Sequence, residues 1–184
     1  PRLRLLLREE MTPQVMSHLA DGKLDAGLLA LPVNDPTLEA VPLFREPFLA
    51  ALPAGHPLAR MNSVPISALV DAGLLLLEEG HCLRDHALEA CHLDGLQNEE
   101  IRATSLETLR QMVGMGLGVT LMPLLASGSS ATAASPVVLR PLAEPGASRT
   151  IGLVWRRRSP LAATMEQLAQ SLKEALPPQT LTAN

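Results

Sequence analysis

The two cysteines of the chain lie in one short segment that also holds three of its five histidines. The cysteines are Cys82 and Cys91, and the histidines are His81, His86 and His92. Cys82 stands near the start of a predicted helix, where backbone N–H groups favour a thiolate. Arg84 would add positive charge, and His81 or His86 could donate a hydrogen bond. These conditions lower the pKa of a thiol and make it reactive toward oxidants.

The spacing of the two cysteines sets a geometric condition. On a continuous helix nine residues rise about 13.5 Å and turn about 900°, which puts Cys82 and Cys91 on opposite faces. A disulfide needs Cα atoms within roughly 7 Å of each other. If the two thiols do join, the helix must unwind, and the segment is then a two-state element that oxidation can bias. In that interpretation Cys82 becomes a sulfenic acid, which Cys91 captures.

Two other interpretations of the segment are open. Free cysteines are among the most buried residue types, so two core thiols without chemistry would be ordinary. Cys82 and His86 are four residues apart on one helix face, as paired metal ligands often are, and Cys91 or His92 could complete a zinc site. The residues alone leave structural thiols, a metal site and a redox switch as alternatives.

The composition of the chain excludes several classes of protein. Its 184 residues, 47% of them hydrophobic and 18% charged, are too apolar for intrinsic disorder and suffice for one ordinary domain or two small lobes. A net charge of −4 supplies no basic surface for nucleic acid, and the apolar runs are too short to span a membrane. No signal peptide opens the chain, and its start at Pro1 rather than Met predicts a fragment of a longer polypeptide. We expect a cytoplasmic location.

Apolar patterning predicts alternating strands and helices and therefore an α/β fold. The Leu- and Ala-rich, aromatic-poor composition favours helices packed on a buried parallel sheet. Buried strands are predicted at 3–7, 25–31 and 74–77, and further strands at 102–103, 119–122, 137–139 and 149–155. Helices are predicted to start at Thr12, Ile66, His81, Thr104 and Ser159, with Thr12, Thr104 and Ser159 as N-caps. The extended run at 41–52, interrupted by Pro42 and Pro47, predicts a strand pair or a crossover.

The string Gly-His-Cys-Leu-Arg-Asp at 80–85, with a second cysteine nine positions after the first, resembles the OxyR family. These are the peroxide-sensing LysR-type transcriptional regulators of bacteria. The segments 102–109 and 149–154 carry the same resemblance, as do 22–25 and 41–44. The resemblance thus extends in order over essentially the whole chain.

This resemblance implies a regulatory module built like a type 2 periplasmic binding protein, with two α/β lobes and two crossovers. Lobe I would comprise about 1–45 and 152–184, and lobe II about 46–151. The implied partners are hydrogen peroxide, further copies of the chain in dimers and tetramers, and thioredoxin- or glutaredoxin-type reductants. DNA would be bound only by an N-terminal domain outside this sequence. We expect no enzyme activity, cofactor, metal or membrane contact.

The resemblance also assigns roles to residues. Cys82 matches the peroxide-reactive cysteine and Cys91 the resolving one. Residues expected to bind peroxide or activate the thiol are Thr12, His81, Arg84, Asp85 and Arg149. The sequence departs from the family in lacking its winged helix-turn-helix and the opening strand and helix of lobe I, and in having Glu100 where the family has a histidine. Competing classes are a LysR-type effector domain for a small organic ligand, a thiol peroxidase and a zinc sensor.

Overall fold

Helices and strands alternate along the chain, which confirms the predicted α/β class. The computed structural model describes residues 3–79, 81–92, 102–127, 135–143, 147–176 and 181–182. The helices are α1 (Thr12–Ala20), α2 (Ile66–Asp71), α3 (Cys82–Ala90), α4 (Leu106–Gly114) and α5 (Ala162–Glu174). The strands are β1 (Ala26–Leu31), β2 (Leu38–Pro53), β3 (Leu76–Leu77), β4 (Arg102–Ala103), β5 (Thr120–Pro123), β6 (Val137–Pro141), β7 (Ser148–Arg156) and β8 (Leu181–Thr182). Short 3-10 helices lie at Pro57–Arg60 and Leu124–Ser127.

Strand β2 is long enough to belong to two sheets in turn. Its first ten residues pair antiparallel with β7, ending with Pro47 opposite Ser148. From Phe48 onward it pairs antiparallel with β5 and then also with β6. Of the two arrangements that the sequence predicts for this run, the structure has the crossover. The register shifts just after Pro42, where a residue without an N–H is tolerated.

The first sheet is formed by β1, β7, the first part of β2 and the short β8, and it lies between α1 and α5. Successive side chains of a strand point to opposite faces. Val154 of β7 accordingly packs with Leu19 of α1, and its neighbour Trp155 packs with Met165 of α5. This sheet therefore has a helix and an apolar core on each face.

The second sheet is formed by the end of β2 with β5 and β6, and it is also covered on both faces. On one face Phe48 packs in a cluster that contains Ala87 and Cys91 of the α3 region. On the other face Ala51 packs with Leu109 and Val113 of α4. Strands β3 and β4 form a parallel pair beside it, and Leu74 bridges to Val119. Helix α3 is thus seated on the core of the second sheet.

Two expectations about strands are wrong. The described pairs of β1, β2, β5, β6, β7 and β8 are all antiparallel, and among the named strands only β3 and β4 pair in parallel. A Leu- and Ala-rich composition reflects burial on both faces, which antiparallel strands can also have. The segment at 3–7 is not a strand, and Leu6 and Leu7 are 78% and 88% exposed. No described strand pairs with it, and an apolar run needs such a partner edge.

The predicted N-caps are displaced by one or two residues. Met11 is the N-cap of α1, so Thr12 is its first residue, and its hydroxyl does not cap the helix. Ser105 rather than Thr104 caps α4, and Leu161 precedes α5. The shift at Thr12 matters for function because it leaves the hydroxyl free to bond elsewhere.

The core residues fall into clusters on the two sheets, and β2 passes from one sheet to the other between Pro47 and Phe48. The lobe boundaries given above stay a prediction. No helix in the described part of the chain is both long and apolar enough to cross a membrane.

Candidate functional site

Helix α3 places the two thiols at its opposite ends. Cys82 is its first residue and is partly buried, while Cys91 is its C-cap and only 4% exposed. Neither cysteine is joined in a disulfide, and the helix between them is unbroken. The nine-residue spacing therefore separates the sulfurs here as the sequence predicts for an intact helix.

The surroundings of Cys82 favour its thiolate. A hydrogen bond from His86, one turn further along α3, is the main cause that lowers the pKa of Cys82 from its ordinary 9.0. Partial burial opposes this shift. A hydrogen bond with the Thr12 side chain and the positive charges of His86 and Arg149 lower the pKa further. These groups come from α1, α3 and β7, so the site forms only when distant parts of the chain pack together.

The other predicted site residues lie around α3 but are not among the groups that shift the pKa of Cys82. His81 is the N-cap of α3, and its side chain makes no capping bond. Asp85 is exposed in the first turn. Arg84 is 8% exposed and borders a small cavity with Leu83 and other core residues. Their predicted roles stay predictions, and position 100 lies outside the described residues.

Sequence reasoning left two residues out of its site. His86 was considered as a hydrogen-bond donor and as a ligand, but it was not assigned a role in the site. Glu46 was missed entirely, although it is only 2% exposed and its Oε2 accepts from Nε of Arg149 at 2.8 Å. A glutamate within the largely apolar run of β2 was the available signal, because a buried carboxylate needs a partner.

Two buried polar atoms of α3 have no hydrogen-bond partner among the described residues. They are one terminal guanidinium nitrogen of Arg84 and Nδ1 of His86. Leaving a buried polar group unpaired costs about 1–3 kcal/mol. The intact helix therefore carries a local free-energy cost in the turns that follow Cys82.

The described residues hold no group of three or more His, Cys, Asp or Glu side chains placed to bind a metal. For Cys82 and His86, the pair that suggested a zinc site, the described interaction is the hydrogen bonding that lowers the pKa of the thiol.

The two sheets share the crossover strand β2. Helix α3 on the second sheet supplies the thiol of Cys82, and helix α1 on the first sheet supplies the hydroxyl of Thr12. This arrangement is that of a two-lobed regulatory domain of the periplasmic-binding-protein type. The chain belongs to the LysR substrate binding domain family, whose model matches residues 1–177.

Among known proteins the chain is similar to the DNA-binding transcriptional dual regulator OxyR of Escherichia coli K12. The two are 44% identical over 174 residues, which are 94% of this chain and 57% of that protein. It is also 44% identical over 178 residues, 96% of this chain, to the probable hydrogen peroxide-inducible genes activator of Mycobacterium avium. The chain spans 57% of the length of each of these relatives.

Solved structures of both redox forms of OxyR resemble this chain. The reduced form matches with a TM-score of 0.79 and 45% identity, over 92% of this chain and 79% of that chain. The oxidised form matches with a TM-score of 0.80 and 45% identity, over 95% and 82%. The resemblance that the sequence predicts is confirmed, and so is the two-lobed fold that it implies.

Proposed function

We propose that this chain is the regulatory domain of a hydrogen-peroxide-responsive LysR-type transcriptional regulator, with Cys82 as its sensing thiol. The single observation that supports this most is the surroundings of Cys82, where His86, Thr12 and Arg149 together lower the pKa of the thiol. The thiolate is the form that attacks a peroxide. The relatives named for hydrogen peroxide and OxyR agree with this chemistry.

The proposed reaction uses both cysteines. The Cys82 thiolate attacks one oxygen of hydrogen peroxide, the O–O bond breaks, and the departing hydroxide takes a proton and leaves as water. The Cys82 sulfenic acid then reacts with the Cys91 thiol, forming the S–S bond and releasing a second water. Two thiols are oxidised by two electrons while one peroxide is reduced. Thr12, His81, Arg84, Asp85 and Arg149 are proposed to hold the peroxide or keep the thiol reactive.

The helix is the element that converts this chemistry into a signal. A disulfide brings the two Cα atoms within roughly 7 Å, whereas nine helical residues separate them by about 13.5 Å. Helix α3 must therefore unwind, and Cys91 must leave the core cluster that it shares with Phe48 and Ala87. We propose that dimers and tetramers of the chain, and a DNA-binding domain outside this sequence, respond to that change.

The proposed domain is a stoichiometric sensor and not an enzyme, and it needs no cofactor. Each chain would consume a single peroxide until a thioredoxin- or glutaredoxin-type dithiol reduces the bond, as expected in the cytoplasm. Continued peroxide consumption without such a reductant would contradict this role.

Mass spectrometry of thiol labelling tests the proposal. After a stoichiometric pulse of peroxide, we expect both cysteines to lose labelling and one peptide pair to appear joined through Cys82 and Cys91. Cys82→Ser should be unreactive, whereas Cys91→Ser should accumulate a sulfenic acid that dimedone traps. If both cysteines of the unmodified chain stay labelled, the proposal is wrong.

A further inference from the structure

Glu46 is a buried carboxylate held by donors from two other segments. Its Oε2 lies 2.8 Å from Nε and 2.7 Å from Nη2 of Arg149, and its Oε1 accepts a hydrogen bond of 2.9 Å from the backbone N–H of Leu125. The side chain is 2% exposed, so these contacts are not shared with bulk water. Both carboxylate oxygens are therefore used, and each has a different partner.

The position of this ion pair links it to the thiol. Glu46 and Arg149 are direct cross-strand neighbours in the last part of the β2–β7 pairing, just before β2 enters the second sheet. Ala147, at the start of that segment, packs in the same cluster as Ala87 and Cys91. Helix α3, which begins at Cys82, packs against β7, which carries Arg149. The charge of Arg149 thereby acts on Cys82, whereas Glu46 is not among the groups that act on the thiol directly.

We infer that Glu46 is a positioning residue for the sensing thiol, whose carboxylate fixes the guanidinium of Arg149 beside Cys82 and thereby sets the reactivity of that thiol. This inference rests on the proposed function only in naming peroxide as the oxidant. Two nitrogens of a planar, rigid guanidinium bound to one carboxylate fix its orientation. The interaction of Arg149 with Cys82 therefore depends on a residue that does not touch the sulfur.

A carboxylate is required at this position because both partners of Glu46 are donors. Glutamine has one acceptor oxygen and an NH₂ group, which can only donate. Glu46→Gln would thus leave either Arg149 or the Leu125 N–H facing another donor, at nearly unchanged side-chain volume. Glu46→Asp keeps the charge and both acceptor oxygens on a shorter side chain, so it should restore part of the function.

The test measures the rate of alkylation of Cys82 as a function of pH in the Cys91→Ser background, in which Cys82 is the remaining thiol. In Glu46→Gln we expect the midpoint of the profile to move to higher pH and alkylation at pH 7 to slow by about three- to tenfold. The rate of oxidation by hydrogen peroxide should fall by a similar factor. Glu46→Asp should lie between Glu46→Gln and the parent chain. Circular dichroism establishes that each variant is folded.

The Arg149→Gln background shows whether Glu46 acts through Arg149. There we expect Glu46→Gln to cause no further change, because the cation that Glu46 positions is gone. A shift that persists without Arg149 would overturn the inference. The inference would also be overturned if Glu46→Gln folds and keeps the alkylation midpoint and rate of the parent chain. If Glu46→Gln does not fold, a folded Glu46→Asp with an unchanged midpoint and rate would overturn it. Alkylation needs no peroxide. If the chain does not react with peroxide, the proposed function is contradicted, but the effect of Glu46→Gln on the alkylation of Cys82 can still be measured.

Discussion

Helices α3 and α4 have the same length, nine residues, but are stabilised very differently. At the start of α4, Ser105 accepts a hydrogen bond from the backbone N–H of Thr108 at 3.1 Å. Glu107 in its first turn binds Arg110 at 2.6 Å and Gln111 at 2.8 Å. Helix α4 thus has a side-chain cap and a network of paired charges.

In the described part of the chain, helix α3 has neither device. Its N-cap, His81, makes no side-chain bond to the first turn, and unpartnered polar atoms of Arg84 and His86 are buried along it. Helices this short are marginal on their own and depend on caps and packing. We therefore expect α4 to contribute more to the stability of the fold than α3, whose unwinding the proposed disulfide requires.

The largest expected difference between the two helices is in their packing. Leu109 of α4 is 2% exposed, so Leu109→Ala should lower the free energy of unfolding by about 2–5 kcal/mol. Leu83 of α3 is only partly buried, and Leu83→Ala should cost clearly less. Urea unfolding of the reduced chain measures both. Equal losses would mean that α3 supports the fold as strongly as α4.

Replacing the buried guanidinium of Arg84 should have the next largest effect on the free energy of unfolding. Arg84→Met replaces a cation that has an unpartnered nitrogen with an apolar side chain of similar length. We expect the reduced chain to gain about 1–3 kcal/mol and the disulfide to form more slowly from the sulfenic acid. Arg110→Met on α4, which breaks a surface ion pair, is the matched control and should change stability by less than about 1 kcal/mol. A large loss of stability in Arg84→Met would contradict the view that this residue destabilises α3.

Removing the cap of α4 and adding a cap to α3 should make the stabilities of the two helices more similar. Ser105→Ala removes the cap of α4 and should cost about 1 kcal/mol, whereas His81→Ser offers α3 a cap and should stabilise it by a similar amount. Hydrogen exchange at the backbone amides of each helix measures these changes locally. Because His81 is also proposed to act on the thiol, disulfide formation is followed from the sulfenic acid already formed. Faster conversion of that acid into the disulfide in His81→Ser would contradict the idea that unwinding of α3 limits the switch.

Local sequence signals predicted more of the fold than of the site. The Gly-His-Cys-Leu-Arg-Asp string located the thiol, and apolar runs located most strands, because both depend on neighbouring residues. The direction of the strands was predicted wrongly, since it is set by contacts between distant segments. Helix starts were misplaced by one or two residues. At α4 the neighbouring Ser105 is as suitable an N-cap as Thr104, whereas at α1 the N-cap is Met11, which no capping preference predicts.

The sequence left Glu46 and His86 without an assigned role, for different reasons. Glu46 and Arg149 are 103 residues apart and meet only because β2 and β7 pair in one register. His86 was ambiguous because a helix spacing of four suits a hydrogen bond to a thiol as well as a metal site. The resemblance to OxyR supplied Thr12 and Arg149, which no local pattern would have joined to Cys82.

The smallest expected effect concerns acid pH and the charge network of α4. A hydrogen bond from Arg110, and a second from Gln111, lower the pKa of Glu107 from its ordinary 4.5 to about 2. Because the folded pKa lies below the unfolded one, this network should stabilise the chain fully above about pH 4.5, and its contribution should disappear as the pH falls toward 2. The carboxyl signal of Glu107 followed by NMR should therefore titrate near pH 2 in the parent chain and at higher pH in Arg110→Gln. A signal that titrates near 4.5 in the parent chain would show that the network does not persist in solution, and α4 would then differ from α3 by its cap and packing alone.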